Sequence, residues 1–227
     1  MPRTDERQVD FYFDYISHNA YLAWQVLPAL AEKYGYSVRA IPVLFAGFLK
    51  AFGQLGPAEI EPKLHWMNRN NLRKATILGI PLNAPQRHPF NPLFLLRLSA
   101  QKMPEAERSR LTSCLLRAVW VDAIDPNDTD AIGAYLRAGG INPVALTAGA
   151  HTGLTKARLK ANTDEAIARG GFGVPTMLVG DQVFWGYDDL PYLEALLNGS
   201  DPLDKVDLDQ HLAAWEDARS AGQHRDR

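Results

Sequence analysis

The sequence predicts an α/β fold in which a βαβ unit and a ββα unit are separated by a long, all-helical block. Strand-like apolar runs are confined to residues 9–42 and 175–185. Between them, about 120 residues carry apolar side chains at helical spacing. A chain of 227 residues is long enough to form one domain that carries a large insertion.

The first unit begins with a compact, aromatic-rich apolar run at residues 9–15, which is typical of a buried strand. From Ala20 the spacing becomes that of an amphipathic helix, with apolar residues at Leu22, Val26, Leu27, Leu30 and Ala31. Residues 36–42 roughly alternate in polarity and end at a proline, which predicts a second strand. This order predicts a right-handed βαβ crossover.

The segment Ser17-His18-Asn19 joins the first strand to this helix. Serine and asparagine often cap helix N-termini, where unpaired N–H groups and the positive end of the dipole lie. Such a terminus favours anions, including a thiolate. Two interpretations remain open: Ser17 only caps the helix, which this segment alone favours, or it also faces a bound anion.

The middle of the chain is predicted to consist of helices. A short helix at residues 46–52 contains Lys50. The next helix, at residues 62–78, has a pattern that places Leu64, Met67, Leu72 and Ala75 inward. Five further helices are predicted at residues 93–101, 105–120, 129–138, 143–150 and 155–168.

The final unit begins with two strands, at residues 175–179 and 182–185, which the two-residue turn Gly180-Asp181 joins as a hairpin. Asp188 or Asp189 is then in position to cap a last core helix that ends near residue 197. Two parallel strands, an antiparallel hairpin and flanking helices make up a thioredoxin-like fold, here with a helical insertion between its halves.

The polar C-terminal part predicts a peripheral helix at residues 203–218 and an unstructured tail at residues 222–227. We therefore predict a chain of three parts. These are a discontinuous thioredoxin-like domain at residues 8–43 and 170–200, a helical insertion domain at residues 44–169, and a C-terminal helix and tail at residues 201–227.

Composition disfavours several classes of function. The 24 basic and 26 acidic side chains nearly balance, so charge gives no reason to propose a nucleic acid or a membrane as partner. Charged first residues, and no apolar run of roughly 20 residues, predict a cytoplasmic protein. Cys114 is the only cysteine, which excludes a CxxC redox pair. His65, His88 and His151 have no metal-ligand spacing with it, and no GxSxG or GxGxxG motif occurs.

A second candidate half of the site is the segment GFGVPT, directly before the third strand. A trans Pro175 would only begin that strand. A cis bond between Val174 and Pro175 would instead turn the backbone N–H and C=O of Val174 toward a ligand. Because cis X-Pro bonds are a small minority, the residues alone favour the trans form.

A resemblance to a known family is carried by an ordered set of motifs: FYFDYIS, LKAFGQ, EPKLHWM, NLRKA, GIPL, HPFN and NTDEAIARGGFGVPTMLVGDQVFWGYDDL. With these motifs the chain resembles the 2-hydroxychromene-2-carboxylate isomerase family, which is close to the kappa-class glutathione transferases. Both groups are thioredoxin-fold relatives of DsbA-type oxidoreductases with a helical insertion. The resemblance covers residues 9–198, and the segment with GVPT and WGYD is its most specific part.

The resemblance implies a glutathione-dependent enzyme in which Ser17 stands where DsbA-type proteins have their first cysteine. It implies a cis Val174–Pro175 bond, with the valine backbone holding the cysteinyl part of glutathione. Asp188 is implied to meet the γ-glutamyl ammonium, and Lys63 to lie near the glycyl carboxylate. Lys50 matches a lysine that the isomerases use near the active site.

The sequence departs from the family pattern at four positions around the implied glutathione site. His18 replaces a proline, Gln54 replaces an asparagine, Tyr187 replaces a shorter polar residue, and Asp189 replaces an arginine. Gln54 and Tyr187, together with Gly186 between Trp185 and Tyr187, nevertheless fall within the implied glutathione-binding set.

We hypothesise that Ser17 stabilises the glutathione thiolate as a hydrogen-bond donor and is not a covalent nucleophile. The thiolate adds to a conjugated substrate, the former double bond rotates, and the thiol is expelled. Lys50 would pair with the carboxylate of the substrate. His18 and Trp66 are further candidate substrate residues, as a proton relay and a pocket wall; the alternatives are an exposed bystander for His18 and plain core for Trp66.

Two other classes of function remain open. The chain could be a broader kappa-like glutathione transferase or a DsbA-like oxidoreductase. It could also be a non-catalytic thioredoxin-fold binding module that has lost its cofactor. The expected partners are glutathione, a small aromatic substrate and, from the resemblance, a second copy of the chain in a homodimer.

Overall fold

The computed structural model describes residues 7–223, in which four strands form one mixed sheet. The strands are β1 (Gln8–Phe13), β2 (Ser37–Pro42), β3 (Thr176–Val179) and β4 (Gln182–Trp185), in the spatial order β2-β1-β3-β4. β1 and β2 are parallel, whereas β3 is antiparallel to both β1 and β4. The predicted thioredoxin-like α/β arrangement is therefore confirmed.

The helices occupy the places that the sequence predicts. α1 (His18–Lys33) connects β1 to β2, α9 (Leu190–Leu197) follows β4, and α10 (Leu208–Gln223) comes last. Short 3₁₀ turns lie at Pro57–Glu59, Tyr187–Asp189 and Pro202–Lys205. The insertion between β2 and β3 contains α2 (Phe45–Phe52), α3 (Glu61–Leu78), α4 (Leu93–Ser99), α5 (Glu105–Trp120), α6 (Thr129–Ala138), α7 (Pro143–Ala150) and α8 (Gly153–Ala168).

β1 lies at the centre of the sheet, and its side chains alternate between two apolar layers. Phe11 packs against Trp24 of α1, with ring centroids 5.3 Å apart. Tyr12 belongs instead to a second buried cluster that contains Phe48 of α2. Because both faces of β1 are buried, four of its six residues are apolar, and its buried Asp10 bonds to Arg39 and Arg169.

The predicted bounds of the first strand and of the C-terminal helix are wrong. β1 ends at Phe13 because the Asp14 side chain accepts the Ile16 N–H at 3.1 Å and turns the chain. Near the C-terminus, the predicted helix at residues 203–218 is a 3₁₀ turn followed by α10, because Asp207 accepts the Gln210 N–H at 3.1 Å and begins a new helix.

Smaller differences concern element ends. α4 ends at Ser99, two residues before the predicted end, and α8 begins at Gly153, two residues before the predicted start. Gly222 and Gln223 belong to α10, so the predicted tail of residues 222–227 begins too early, and its residues 224–227 lie outside the described residues. The helices predicted at residues 105–120, 129–138 and 143–150 have the observed bounds.

The helical insertion and the sheet share one hydrophobic core in the described part of the chain. Leu96 of α4 and Leu115 of α5 belong to the same buried cluster as Phe11 of β1 and Leu27 of α1. The division into a sheet domain and an insertion domain therefore stays a prediction. Within residues 7–223, no helix combines the length and the apolar character that crossing a bilayer requires.

Candidate active site

Ser17 caps the N-terminus of α1, as the sequence predicts. Its backbone is extended, with φ −96° and ψ 110°, and its Oγ accepts a hydrogen bond from the Ala20 N–H at 3.1 Å. Because the oxygen acts as the acceptor in this bond, the hydroxyl hydrogen remains available to another group. The half-buried hydroxyl can therefore cap the helix and donate to a ligand at the same time.

The first turn of α1 offers two more donors beside this hydroxyl. Within residues 7–223, the backbone N–H groups of His18 and Asn19 make no hydrogen bond. This is the expected state of a first helical turn, where no preceding carbonyl is in reach. The unpaired N–H groups and the positive end of the helix dipole together favour a negative charge at this point.

Val174 and Pro175 lie before β3, and the bond between them is cis, so the trans alternative is wrong. The Pro175 carbonyl accepts the Gly186 N–H at 2.9 Å. By contrast, the backbone N–H and C=O of Val174 have no hydrogen-bond partner in the described part of the chain. Val174 therefore offers one donor and one acceptor, as the edge of a strand does.

The 3₁₀ turn after β4 joins these two halves of the site. Asn19 Oδ1 accepts the Tyr187 N–H at 3.1 Å, and Gly186 is the residue that bonds to Pro175. Gly186 has φ +75° and ψ 179°, a backbone conformation that is essentially restricted to glycine. The glycine of the WGYD motif therefore lets the turn reach both Pro175 and the start of α1.

Asp188, the predicted partner of an ammonium group, is paired within the protein. Its Oδ2 accepts a hydrogen bond from Lys74 Nζ of α3 at 2.7 Å. The Lys74 side chain is 9% exposed, whereas that of Asp188 is 65% exposed. Lys74 Nζ also lies 5.2 Å from the ring centroid of Tyr187. This ion pair adds Lys74 to the site.

Lys74 is a residue that the sequence reasoning missed. The predicted inward face of this helix included Leu72, which is 57% exposed, so that prediction is wrong. The buried residues of α3, which packs against α1, are Asn71, Lys74 and Ala75, of which only Ala75 belongs to the predicted inward face. The one sequence feature that indicates burial of Lys74 is its position beside Ala75, which the helical pattern predicts to face inward.

Neither Asp188 nor Asp189 caps α9 with its side chain, so the predicted cap is wrong. Asp188 pairs with Lys74, and Asp189 bonds elsewhere. The Asp189 Oδ2 accepts the Trp185 N–H at 2.7 Å. Asp189 occupies the N-cap position with helical backbone angles, whereas a capping side chain normally requires an extended backbone. Asp189 therefore stabilises the turn between β4 and α9.

His18 is buried, so the alternative of an exposed bystander at the helix start is wrong. It is 7% exposed and packs against Trp120, with ring centroids 5.2 Å apart, and against His88 at 5.9 Å. Its Nε2 has no hydrogen-bond partner in the described residues. Burial, with smaller effects of His88 and Lys74, lowers the pKa of His18 to about 4. His18 is therefore neutral at physiological pH.

Gln54, Lys63 and Trp66 lie between the end of α2 and the first turns of α3, and all three are exposed. Trp66 is 59% exposed, so the plain-core alternative for this residue is wrong. Phe48 of α2, in contrast, is fully buried. Exposure is compatible with the ligand-binding roles predicted for the three residues, and those roles stay predictions.

Lys50 lines a cleft of about 510 Å³ between α2, α4 and α8. Arg97, Lys156 and Lys160 also line this cleft, and they give it a cationic character. Ser17, Val174 and Asp188 are not among its lining residues. The structure therefore places Lys50 in a cleft of its own and does not join it to the Ser17 group.

Asp14 lies under the site, between the turn before α1 and the start of α2. Its two oxygens accept the Ile16 N–H at 3.1 Å and the Phe45 N–H at 2.8 Å. The side chain is fully buried, and this burial raises the pKa of Asp14 to about 7 despite the backbone hydrogen bonds. Asp14 thus couples the Ser17 turn to α2.

Cys114 of α5 is half-buried, and burial raises the pKa of its thiol. A thiol of this kind is a weak nucleophile at neutral pH. Among residues 7–223, no group of three or more His, Cys, Asp or Glu side chains is arranged to hold a metal ion.

Comparisons with known proteins agree with this architecture. The family model of the DSBA-like thioredoxin domain matches residues 8–198. The 2-hydroxychromene-2-carboxylate isomerase of Sphingobium xenophagum is 31% identical over 193 residues, which are 84% of this chain and 98% of that protein. Glutathione S-transferase kappa 1 of Caenorhabditis elegans is 25% identical over 216 residues, with 86% and 93% of the two chains covered.

A solved structure gives the same result. The solved structure of a 2-hydroxychromene-2-carboxylate isomerase superposes with a TM-score of 0.78 at 30% sequence identity. The match covers 84% of this chain and 94% of that chain. The resemblance inferred from the motifs and the thioredoxin-like fold with its helical insertion are therefore confirmed.

Proposed function

Since the chain belongs to the DSBA-like thioredoxin domain family and covers nearly all of a 31% identical 2-hydroxychromene-2-carboxylate isomerase, we propose that it is a glutathione-dependent isomerase. Its substrate is 2-hydroxychromene-2-carboxylate or a related intermediate of aromatic degradation. We further propose that it works as a cytoplasmic homodimer; light scattering on the purified chain tests the dimer.

The observation that carries this proposal is the set of unpaired donors at the start of α1. The Ser17 hydroxyl hydrogen and the N–H groups of His18 and Asn19 are available at one helix terminus. A sulfur anion there accepts a charge-assisted hydrogen bond and meets the positive end of the dipole. Because Cys114 lies on α5, the sulfur has to come from a bound thiol, and the name of the kappa-class relative indicates glutathione.

The residues around this terminus fit glutathione. The cysteinyl residue of glutathione pairs with the free N–H and C=O of Val174 in the manner of an added strand. Asp188, with its exposed carboxylate, receives the γ-glutamyl ammonium, while Gly186 and Tyr187 shape the turn that holds it. Lys63 and Gln54 are exposed and receive the glycyl carboxylate.

The energies involved are sufficient for thiolate formation. A thiol with the ordinary pKa of about 8.5 is only a few per cent ionised at neutral pH. Lowering this pKa by about two units requires about 2.7 kcal/mol. A charge-assisted hydrogen bond from Ser17 contributes roughly 1.5–3 kcal/mol, and the helix terminus contributes about 0.3–2 kcal/mol. No cationic side chain has to lie beside the sulfur.

When bound, glutathione would supply a thiolate that adds to the conjugated ketone formed when the ring C–O bond of the hemiketal opens, permits rotation about the former double bond, and is then expelled as that double bond re-forms. Ser17 holds the sulfur at the helix terminus before and after this exchange. His18 is neutral, so it can accept a proton but has none of its own to release as an imidazolium. We assign an apolar face of the substrate to Trp66. The predicted pairing of Lys50 with the substrate carboxylate requires a substrate that extends from Ser17 into the separate cleft that Lys50 lines.

The experiment that tests this function is turnover of 2-hydroxychromene-2-carboxylate by the full chain with and without glutathione. We expect turnover only with glutathione, and a loss of about 10- to 150-fold in kcat in Ser17→Ala. Thr152→Ala is the matched control because Thr152 caps α8 in the same way, away from the site. Equal turnover without glutathione contradicts the proposal.

The same assays separate the alternatives. Conjugation of a general electrophile without isomerisation indicates a kappa-like transferase, and thiol–disulfide exchange indicates a DsbA-like oxidoreductase. No heat on titration with millimolar glutathione indicates a binding module.

A further inference from the structure

We propose that Lys74 and Asp188 together form a receptor for the charged head of an α-amino acid, with Asp188 binding its ammonium and Lys74 its carboxylate. In glutathione this head is the α-carbon of the γ-glutamyl residue, so the inference rests on the proposed function. The new element is Lys74, which makes the site selective for a zwitterion over a ligand of one charge.

Lys74 has spare hydrogen-bonding capacity in a buried position. An ammonium group has three donors, and one of them bonds to Asp188 Oδ2 at 2.7 Å. This is the one hydrogen bond of Nζ in the described part of the chain, although the side chain is only 9% exposed. A buried ammonium with unused donors favours a further anionic acceptor.

Asp188 complements this arrangement from the solvent side. Its side chain is 65% exposed, and Oδ2 carries the bond to Lys74. Its other oxygen, Oδ1, makes no hydrogen bond to residues 7–223 and can accept from a ligand ammonium. One oxygen of the carboxylate therefore belongs to the protein, and the other is available to a bound molecule.

The ion pair lies beside the thiol site. Asp188 directly follows Tyr187, whose N–H bonds to Asn19 in the first turn of α1. Lys74 is close enough to His18 for its charge to lower the pKa of that side chain. One turn before Lys74, on the same buried face of α3, the Nδ2 of Asn71 has no partner among the described residues and is a further donor.

The charges explain the expected selectivity. The Lys74–Asp188 pair has no net charge, and neither has a zwitterion. When a zwitterion binds, each of its charged groups lies beside the opposite charge of the pair. A ligand that has only the carboxylate brings a second negative charge beside Asp188. A ligand that has only the ammonium brings a second positive charge beside Lys74. In both cases one residue of the Lys74–Asp188 pair gains no opposite charge from the ligand, so binding is weaker.

The test compares three ligands by calorimetric titration of the full chain: glutathione, glutaryl-cysteinylglycine, which lacks the α-amino group, and 4-aminobutanoyl-cysteinylglycine, which lacks the α-carboxylate. Wild-type protein should bind glutathione at least about tenfold tighter than either analogue. In Lys74→Met, glutathione and 4-aminobutanoyl-cysteinylglycine should bind equally. In Asp188→Asn, glutathione and glutaryl-cysteinylglycine should bind equally.

The readout is the ratio of the affinities of one variant for two ligands. A general weakening of the fold lowers both affinities alike and therefore leaves the ratio unchanged. Lys33→Met is the matched control, because it removes the Lys33–Glu194 pair at the other end of α1 and should keep both wild-type ratios. Lys74→Arg keeps the charge if Lys74→Met fails to fold, and it should keep the preference for the carboxylate. If Lys74→Met prefers glutathione over 4-aminobutanoyl-cysteinylglycine as strongly as the wild-type protein does, this inference alone is overturned. No binding of glutathione by wild-type protein overturns the proposed function as well.

Discussion

Asn19 Oδ1 accepts the backbone N–H of Tyr187 at 3.1 Å, across 168 positions of the sequence. This hydrogen bond joins the first turn of α1 to the turn that follows β4. Through Gly186, the second turn also bonds to Pro175. Ser17 and Val174 therefore belong to one connected structure, although they lie far apart in the sequence.

The first prediction concerns this hydrogen bond. Asn19→Leu leaves the half-buried Tyr187 N–H without an acceptor and should destabilise the fold by about 1–3 kcal/mol. Asn19→Asp keeps the acceptor, and its charge suits the start of a helix, so most of the stability should return. Chemical denaturation and the Kd for glutathione measure both effects. Equal stability of the two variants contradicts the role of Asn19.

Gly186 should not tolerate a side chain, because its φ is +75° and its ψ is 179°. We expect Gly186→Ala to lose about 1–3 kcal/mol from backbone strain, although its Cβ would meet its nearest neighbour, Asn19 Nδ2, only at 3.5 Å. Gly133→Ala, inside α6, is the matched control and should gain about 0.5–1 kcal/mol. Thermal unfolding of the two variants should therefore shift in opposite directions, and a shift in the same direction counts against the argument.

The state of His18 gives a third prediction. Its pKa is about 4 in the folded protein against an ordinary value of 6.5. Between these two pH values the unfolded chain binds a proton that the folded chain does not, so His18 makes stability rise with pH across this window and has no effect above it. The imidazole signals of His18 in NMR, assigned with His18→Asn, should not titrate near pH 6.5. An inflection there shows that His18 is charged in the site.

Asp14 should act on stability in the opposite direction over nearly the same pH window. Its pKa is about 7 in the folded protein against 3.8 ordinarily. Between these values the folded state holds a proton that the unfolded state has released, so stability falls as pH rises, by up to about 4 kcal/mol. Asp14→Asn cannot ionise, so it should remove this fall of stability with pH. The hydrogen bonds that it loses lower the stability at every pH and do not change this expectation. Denaturation of both proteins over this range is the measurement, and parallel curves contradict the assignment.

Local features of this protein could be predicted from its sequence. The sequence predicts Ser17 as a cap because capping depends on a hydroxyl, an extended backbone and the next turn of the same helix. The hairpin turn Gly180-Asp181 and the bounds of α5 likewise depend on neighbours in the sequence. The resemblance added the cis Val174–Pro175 bond, which the residues alone did not favour.

Features that depend on distant partners could not be predicted in this way. Lys74 is buried because Asp188, 114 positions away, provides its counter-charge. His18 is buried because Trp120 and His88 cover it from separate segments. Neither the periodicity of α3 nor the position of His18 at a helix start contains this information.

The most direct measurement of the central claim is the thiol pKa of bound glutathione, followed by its ultraviolet thiolate absorbance as the pH of the complex is varied. In wild-type protein we expect this pKa to lie about two units below the ordinary value of about 8.5. In Ser17→Ala it should rise by about one to two units, as the loss of one charge-assisted hydrogen bond requires. An identical thiol pKa in the two proteins contradicts the account.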